Sequence, residues 1–139
     1  MGQSEYAKEI CKLIDTVSNN SSNVLLFGER GTGKRLFAES VHLKNNENFQ
    51  DFFVINCRFY GSEFSNKLNE LKNSLLIQSD SCRTVFFENI DKLNVELQQK
   101  LLIFFKEITD SKCNVRIISS TETFLEQMVQ NNLFNRDLY

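Results

Sequence analysis

The sequence predicts an α/β domain of three layers, with a parallel sheet of about four strands between two layers of helix. Three observations predict it. Four short apolar runs stand far apart in the chain, segments of helical periodicity separate them, and a glycine-rich turn, Gly28 to Lys34, lies between the first run and the helix after it. Apolar runs of this kind suit strands buried on both faces, and their alternation with helices specifies parallel βαβ units. A length of 139 residues fits one domain, 1–139, with no room for a second of ordinary size.

In chain order, residues 4–18 place Tyr6, Ile10, Leu13, Ile14 and Val17 on one helical face, and the polar stretch Ser18 to Asn23 ends that helix. Val24 to Phe27 is the first strand, fully apolar and expected to be buried. Lys34 to Leu43 reads as helix and Phe52 to Ile55 as the second strand. Glu63 to Ile77 is helical, with Phe64, Leu68, Leu71, Leu75 and Leu76 as its apolar set. Thr84 to Phe87 is the third strand. Asn94 can cap a helix to Ile108 whose Leu97, Leu101, Phe104, Phe105 and Ile108 form a core stripe. Val115 to Ser119 is the fourth strand, and Glu122 to Gln130 the last helix.

Composition excludes several functions. A net charge of −2 argues against nucleic acid as the ligand of this segment, because phosphate backbones need a basic face. No apolar run approaches membrane-spanning length and no stretch reads as a signal peptide. Cys11, Cys57, Cys82 and Cys113 form no CxxC pair, and His42 alone completes no common zinc pattern, so buried reduced thiols of a cytoplasmic protein are expected.

The chemistry concentrates in residues 28–34, Gly28-Glu29-Arg30-Gly31-Thr32-Gly33-Lys34, which match G-x-x-x-x-G-K with an apolar strand before and a helix after. Glycines let successive N–H groups turn inward around an anionic phosphate. The following helix adds the positive end of its dipole, and Lys34 adds a point charge for the terminal phosphates. A glycine-rich turn of this sort can also be a plain connector. The next position is Arg35, where the motif has a hydroxyl that holds Mg²⁺. Its guanidinium either sits in solvent or folds back toward the phosphates, and the metal loses a ligand in both cases.

Residues 24–42 resemble the Walker A segment of the sigma-54-dependent transcription activators, the NtrC-like branch of the AAA+ P-loop NTPases. The likeness continues through Phe53 to Cys57 with its Asn-Cys ending, through residues 84–90 at the place of Thr-Leu-Phe-Leu-Asp-Glu-Ile, and through Leu97 to Leu102. Residues 115–121 resemble the sensor strand, and residues 133–139 the arginine-finger segment. The resemblance implies an AAA+ core that binds ATP or ADP with Mg²⁺ and self-associates. Its parent would carry a receiver or sensor domain upstream, as in two-component response regulators, and a DNA-binding helix-turn-helix downstream.

The departures bear on hydrolysis. Where the family ends Walker B in Asp-Glu, this chain has Glu88 and Asn89. Glu88 is the remaining candidate for a metal-bound water, while the carboxamide of Asn89 cannot accept a proton from water. Both also read as an ordinary polar strand end. The family holds its glutamate with an asparagine matching Asn56. In the sensor, Thr121 is kept and Glu122 replaces an asparagine. The finger arginine is shifted by one residue to Arg136, which also reads as a solvated surface residue. The stretch between Cys57 and Thr84 is shorter than in the family and lacks its Gly-Ala-Phe-Thr-Gly-Ala loop, which puts contact with sigma-54 in doubt. The family's following strand and small helical lid are not found in these residues. With that strand gone, Val24 to Phe27 becomes an edge expected to be paired or covered.

Three functions fit this reading. One is a degenerate module that binds nucleotide and hydrolyses it poorly. The second is an active ATPase in which Glu88 substitutes for the lost base. The third is an interaction domain without nucleotide, its phosphate site filled by Arg30 or Arg35.

Overall fold

The structure, a computed structural model, describes residues 9, 12–14, 16, 23–29, 33–45, 51–59, 61, 63–76, 83–111 and 114–134. Strands β1 (Val24–Phe27), β2 (Phe52–Asn56), β3 (Arg83–Glu88) and β4 (Val115–Thr121) form one parallel sheet in the order β1-β4-β3-β2. Helices α1 (Lys34–Asn45), α2 (Phe64–Leu76), α3 (Val95–Asp110) and α4 (Leu125–Gln130) connect and follow them. Short 3-10 turns lie at Cys57–Phe59 and Ile90–Lys92, directly after β2 and β3.

Strand side chains alternate between faces, and this sorts the core into two clusters. Ile55, Val85, Phe87 and Ile117 meet Phe64, Leu68, Leu71 and Leu75 of α2 and Leu97, Leu101, Phe104 and Ile108 of α3. Phe86 and Ile118, with Val24, Leu26, Phe52 and Val54, meet Ala38 and Val41 of α1 and Ile14 of the N-terminal segment. The sheet is therefore covered on both sides, and the expected three layers are present. His42 belongs to the second side, buried with Nδ1 2.8 Å from Thr84 Oγ1.

Several expectations are corrected. The apolar run of β1 is not fully buried. Its place at the sheet's edge leaves Leu25 45 % and Phe27 50 % exposed, and the Phe27 ring stacks on the exposed Phe124 at 4.2 Å. Leu13 and Leu76, assigned to apolar faces, are also largely exposed. Tyr6, Ile10, Val17 and Ile77 lie outside the described residues. β4 runs two residues further than expected, to Thr121, and α4 starts only at Leu125. Thr121 Oγ1 explains this: it accepts from the Thr123 N–H at 3.1 Å and donates to the Thr123 carbonyl at 2.8 Å, a local turn that competes with helix. Asn94 caps α3 as expected, its Oδ1 accepting from the Leu97 N–H at 2.8 Å.

Candidate functional site

Parallel strands bring their carboxyl ends to one edge of the sheet, where ligands of such sheets sit. Here that edge carries Gly28, Thr121, Glu88 and Asn56 at the ends of β1, β4, β3 and β2. The turn after β1 enters α1 through Gly33, whose φ of +82° lies in the left-handed region that glycine adopts without strain. The Gly33 carbonyl accepts the first helical bond, from the Phe37 N–H at 2.9 Å. Arg30, Gly31 and Thr32 lie outside the described residues.

Lys34 reaches across the strand ends. Its Nζ donates to the Gly28 carbonyl and lies 3.5 Å from the carbonyls of Glu29 and of Thr121. The Gly28 N–H itself donates to the Thr121 carbonyl at 3.2 Å, which continues the β1–β4 ladder into the turn. The ammonium is thus fixed at the junction of β1 and β4 by main-chain oxygens. Arg35 takes the solvent alternative: it points along the helix, Nε 3.9 Å from Glu39, and its side chain is 55 % exposed.

At the end of β3, Asn89 is buried with φ 60° and ψ 49°, a conformation asparagine tolerates better than most residues. Its N–H donates to Ser120 Oγ at 3.1 Å, and its Nδ2 donates to Asn56 Oδ1 at 3.0 Å. The Arg58 N–H also donates to Asn56 Oδ1, at 3.1 Å. That main-chain donor fixes which end of the Asn56 amide faces inward, so the atom that Asn89 presents to it has to be a donor. Thr121 is buried and engaged in its local turn.

Charged side chains surround these amides. Arg58 Nη2 donates to Glu122 Oε1 at 3.0 Å, and Lys92 Nζ lies 3.9 Å from the other oxygen of Glu122 and 3.6 Å from Asp91 Oδ2. Asp91 Oδ2 also accepts from Thr123 Oγ1 at 2.5 Å. The Asp91 side chain is 1 % exposed and its Oδ1 has no hydrogen-bond partner. Beneath them Cys57 is free and buried, and its thiol is pushed up to about 12 by burial, with Asp91 and Glu88 adding to the effect. Cys11, Cys82 and Cys113 lie outside the described residues, as does Arg136.

Two observations among the described residues bear on magnesium. The position after Lys34 holds an outward-facing arginine. Among the described residues no group of three His, Cys, Asp or Glu side chains could hold a metal ion. Among the described residues, no helix is long and apolar enough to cross a membrane.

Sequence reasoning assembled Lys34, Asn56, Glu88, Asn89 and Thr121 at this edge, and the fold places them there. It missed Arg58, Asp91 and Lys92. No local pattern marks them, because the ion pair of Arg58 joins residues 64 positions apart.

The whole chain, residues 1–139, matches the family described as the sigma-54 interaction domain. A signal-transduction and transcriptional-control protein of Clostridium beijerinckii is 31 % identical over 161 positions, covering 100 % of this chain and 25 % of that protein. The chain spans from 23 % to 35 % of the length of the first curated relatives it matches. Among solved structures, NtrX from Brucella abortus in complex with ATP aligns with a TM-score of 0.73 at 21 % identity, over 99 % of this chain and 35 % of that one. The P-loop NTPase domain of a sigma-54 transport activator from E. coli aligns at 0.66 and 22 % identity, over 93 % of this chain and 97 % of that one. At these identities the structural likeness speaks to the fold, a P-loop NTPase core of the AAA+ type.

Proposed function

The chain belongs to the sigma-54 interaction domain family, and from that premise we propose that it is the ATP-binding module of a sigma-54-activator-type transcription regulator with weak or lost hydrolysis. The observation that carries this reading is the placement of Lys34. Its ammonium stands at the junction of β1 and β4, beside a turn that enters α1 through a positive-φ glycine. Main-chain N–H groups of residues 28–34, the positive end of α1 and this ammonium are the parts that grip a polyphosphate. NtrX, a structural neighbour crystallised with ATP and with ADP, shares the fold.

Hydrolysis needs a metal, a positioned water and a charge stabiliser. Arg35 removes a metal ligand and faces solvent. Asn89 stands where the family has its water-activating glutamate, and its carboxamide faces Asn56 as a donor. Both features support a module that binds without turning over. They also disfavour an ATPase built on Glu88. The outward course of Arg35 removes one of the two arginines that would fill the phosphate site of a nucleotide-free domain.

The alignment with the Clostridium beijerinckii relative runs over 161 positions, 22 more than the 139 residues of this chain. That excess supports a missing insertion, in keeping with the absent Gly-Ala-Phe-Thr-Gly-Ala loop. Contact with sigma-54 is accordingly not part of the proposed function. Contact with DNA would run through other domains of the parent, and a receiver or sensor domain would supply its signal.

Titration calorimetry with ATP and ADP tests the binding half. Saturable heats are expected for the wild type and their loss for Lys34→Ala. Equal heats for both proteins would remove the nucleotide claim. A phosphate-release assay is expected to stay at background, and sustained turnover would overturn the hydrolysis half.

A further inference from the structure

We propose that Glu122 makes this site select nucleoside diphosphate over nucleoside triphosphate, an inference that rests on the nucleotide reading above and specifies it. Glu122 follows β4 directly, one residue past Thr121, whose carbonyl lies 3.5 Å from Lys34 Nζ. Its carboxylate is joined to Arg58, which follows β2, at 3.0 Å. Since the sheet order is β1-β4-β3-β2, an ion pair from the end of β4 to the end of β2 spans the end of β3. That is where Glu88 and Asn89 stand.

A phosphate chain gripped by the turn and Lys34 starts at the β1–β4 junction. Its terminal group has to lie between that grip and the residues that would activate water, at the end of β3. In this chain the group would enter a region whose positive charge is already committed. Arg58 is bonded to Glu122, while Lys92 lies between Glu122 at 3.9 Å and Asp91 at 3.6 Å. Glu88 and the buried carboxylate of Asp91, with one oxygen unpartnered, add negative charge to the same edge. A third phosphate has to displace Glu122 from Arg58 or accept a carboxylate as its neighbour. A diphosphate ends at Lys34 and avoids both.

The Arg58 and Glu122 side chains are 31 % and 21 % exposed, so solvent moderates the effect without removing it. One charge-assisted hydrogen bond sets its scale, a preference of about tenfold. The asparagine that the resembling family carries at this position is neutral and would impose no such preference. Arg58 is then the latent partner of a terminal phosphate, released when Glu122 loses its charge.

The test is calorimetry on the intact chain with ADP and with the non-hydrolysable β,γ-imido analogue of ATP, in buffer free of magnesium. The wild type is expected to bind ADP about tenfold more tightly than the triphosphate. Glu122→Gln and Glu122→Asn are each expected to bring the ratio close to one by tightening triphosphate binding, with ADP affinity held within about twofold. Arg58→Gln leaves Glu122 with only the longer contact to Lys92 at 3.9 Å and is expected to widen the ratio. A purely structural role for the ion pair would move both nucleotides together. An unchanged ratio in both Glu122 variants, with ADP still bound, overturns the selectivity and leaves the nucleotide reading standing. A wild type that binds neither ligand overturns both.

Discussion

Restoring the family's acid at the end of β3, by Asn89→Glu, is expected to destabilise the protein without producing an ATPase. Asn89 has φ 60° and ψ 49°, a region that costs most L-residues on the order of 1 kcal/mol and asparagine less. Its Nδ2 donates to Asn56 Oδ1, an oxygen that the Arg58 N–H also holds. A carboxylate in its place meets that oxygen lone pair to lone pair, or forces Asn56 to turn over and give up the Arg58 bond. Losing one such bond costs about 1 kcal/mol.

The site is 7 % exposed, so the introduced carboxyl is desolvated and its folded pKa rises above the ordinary 4.3 or so. A rise of about two units corresponds to about 3 kcal/mol of further destabilisation at pH 8, where the unfolded chain carries the charge freely. The sign is definite: an acid with a raised folded pKa binds more protons folded than unfolded, so its contribution worsens as pH climbs past the unfolded pKa. Urea melts of wild type and Asn89→Glu at pH 5 and pH 8 are expected to differ by about 2–3 kcal/mol at the lower pH and about 5 at the higher. Phosphate release is expected to stay at background, since Arg35 and Glu122 are unchanged. Equal stability losses at both pH values would refute the burial argument, and turnover would refute the claim that one residue is insufficient.

Gly33 has φ +82° with open space where a Cβ would stand, so Gly33→Ala is expected to lose about 1 kcal/mol through backbone strain and to weaken ATP binding by reshaping the turn. Urea melts and calorimetry check it, and a neutral substitution would show that the turn tolerates a side chain. The Cys57 thiol, pushed up to about 12 from 9.0, is expected to resist alkylation at pH 8 in the native state and to react once urea unfolds the chain. Its stabilising contribution is full below pH 9 and lost between 9 and about 12, so Cys57→Ala should flatten the alkaline fall in stability over that range. The half-exposed edge of β1 is expected to be paired or covered in solution. Sedimentation showing self-association, with slow amide exchange at residues 24–27, checks this; a monomer with fast exchange there counts against it.

Much of this protein was legible before any coordinates. Short, mainly apolar runs marked all four strands, because a buried strand admits few polar side chains, although β4 carries Arg116 and β1 stands half bare. Helical spacing picked out Leu97, Leu101, Phe104 and Ile108, which the fold buries beneath the sheet. The glycine-rich turn announced its own place through its flanks. Boundaries were less legible where side chains bond their own backbone, as Thr121 does in delaying α4 to Leu125.

What the sequence by itself determined is the set of local periodicities, and with them the layers and the position of the glycine-rich turn. Only the tertiary structure decided that β1 stands at an edge with Leu25 and Phe27 half bare, and that Arg58 meets Glu122 across the end of β3. The physical reason is range. Periodicity is set by neighbours a few residues away, whereas strand order and the pairing of charges 64 residues apart depend on which elements pack together, and no local pattern records that.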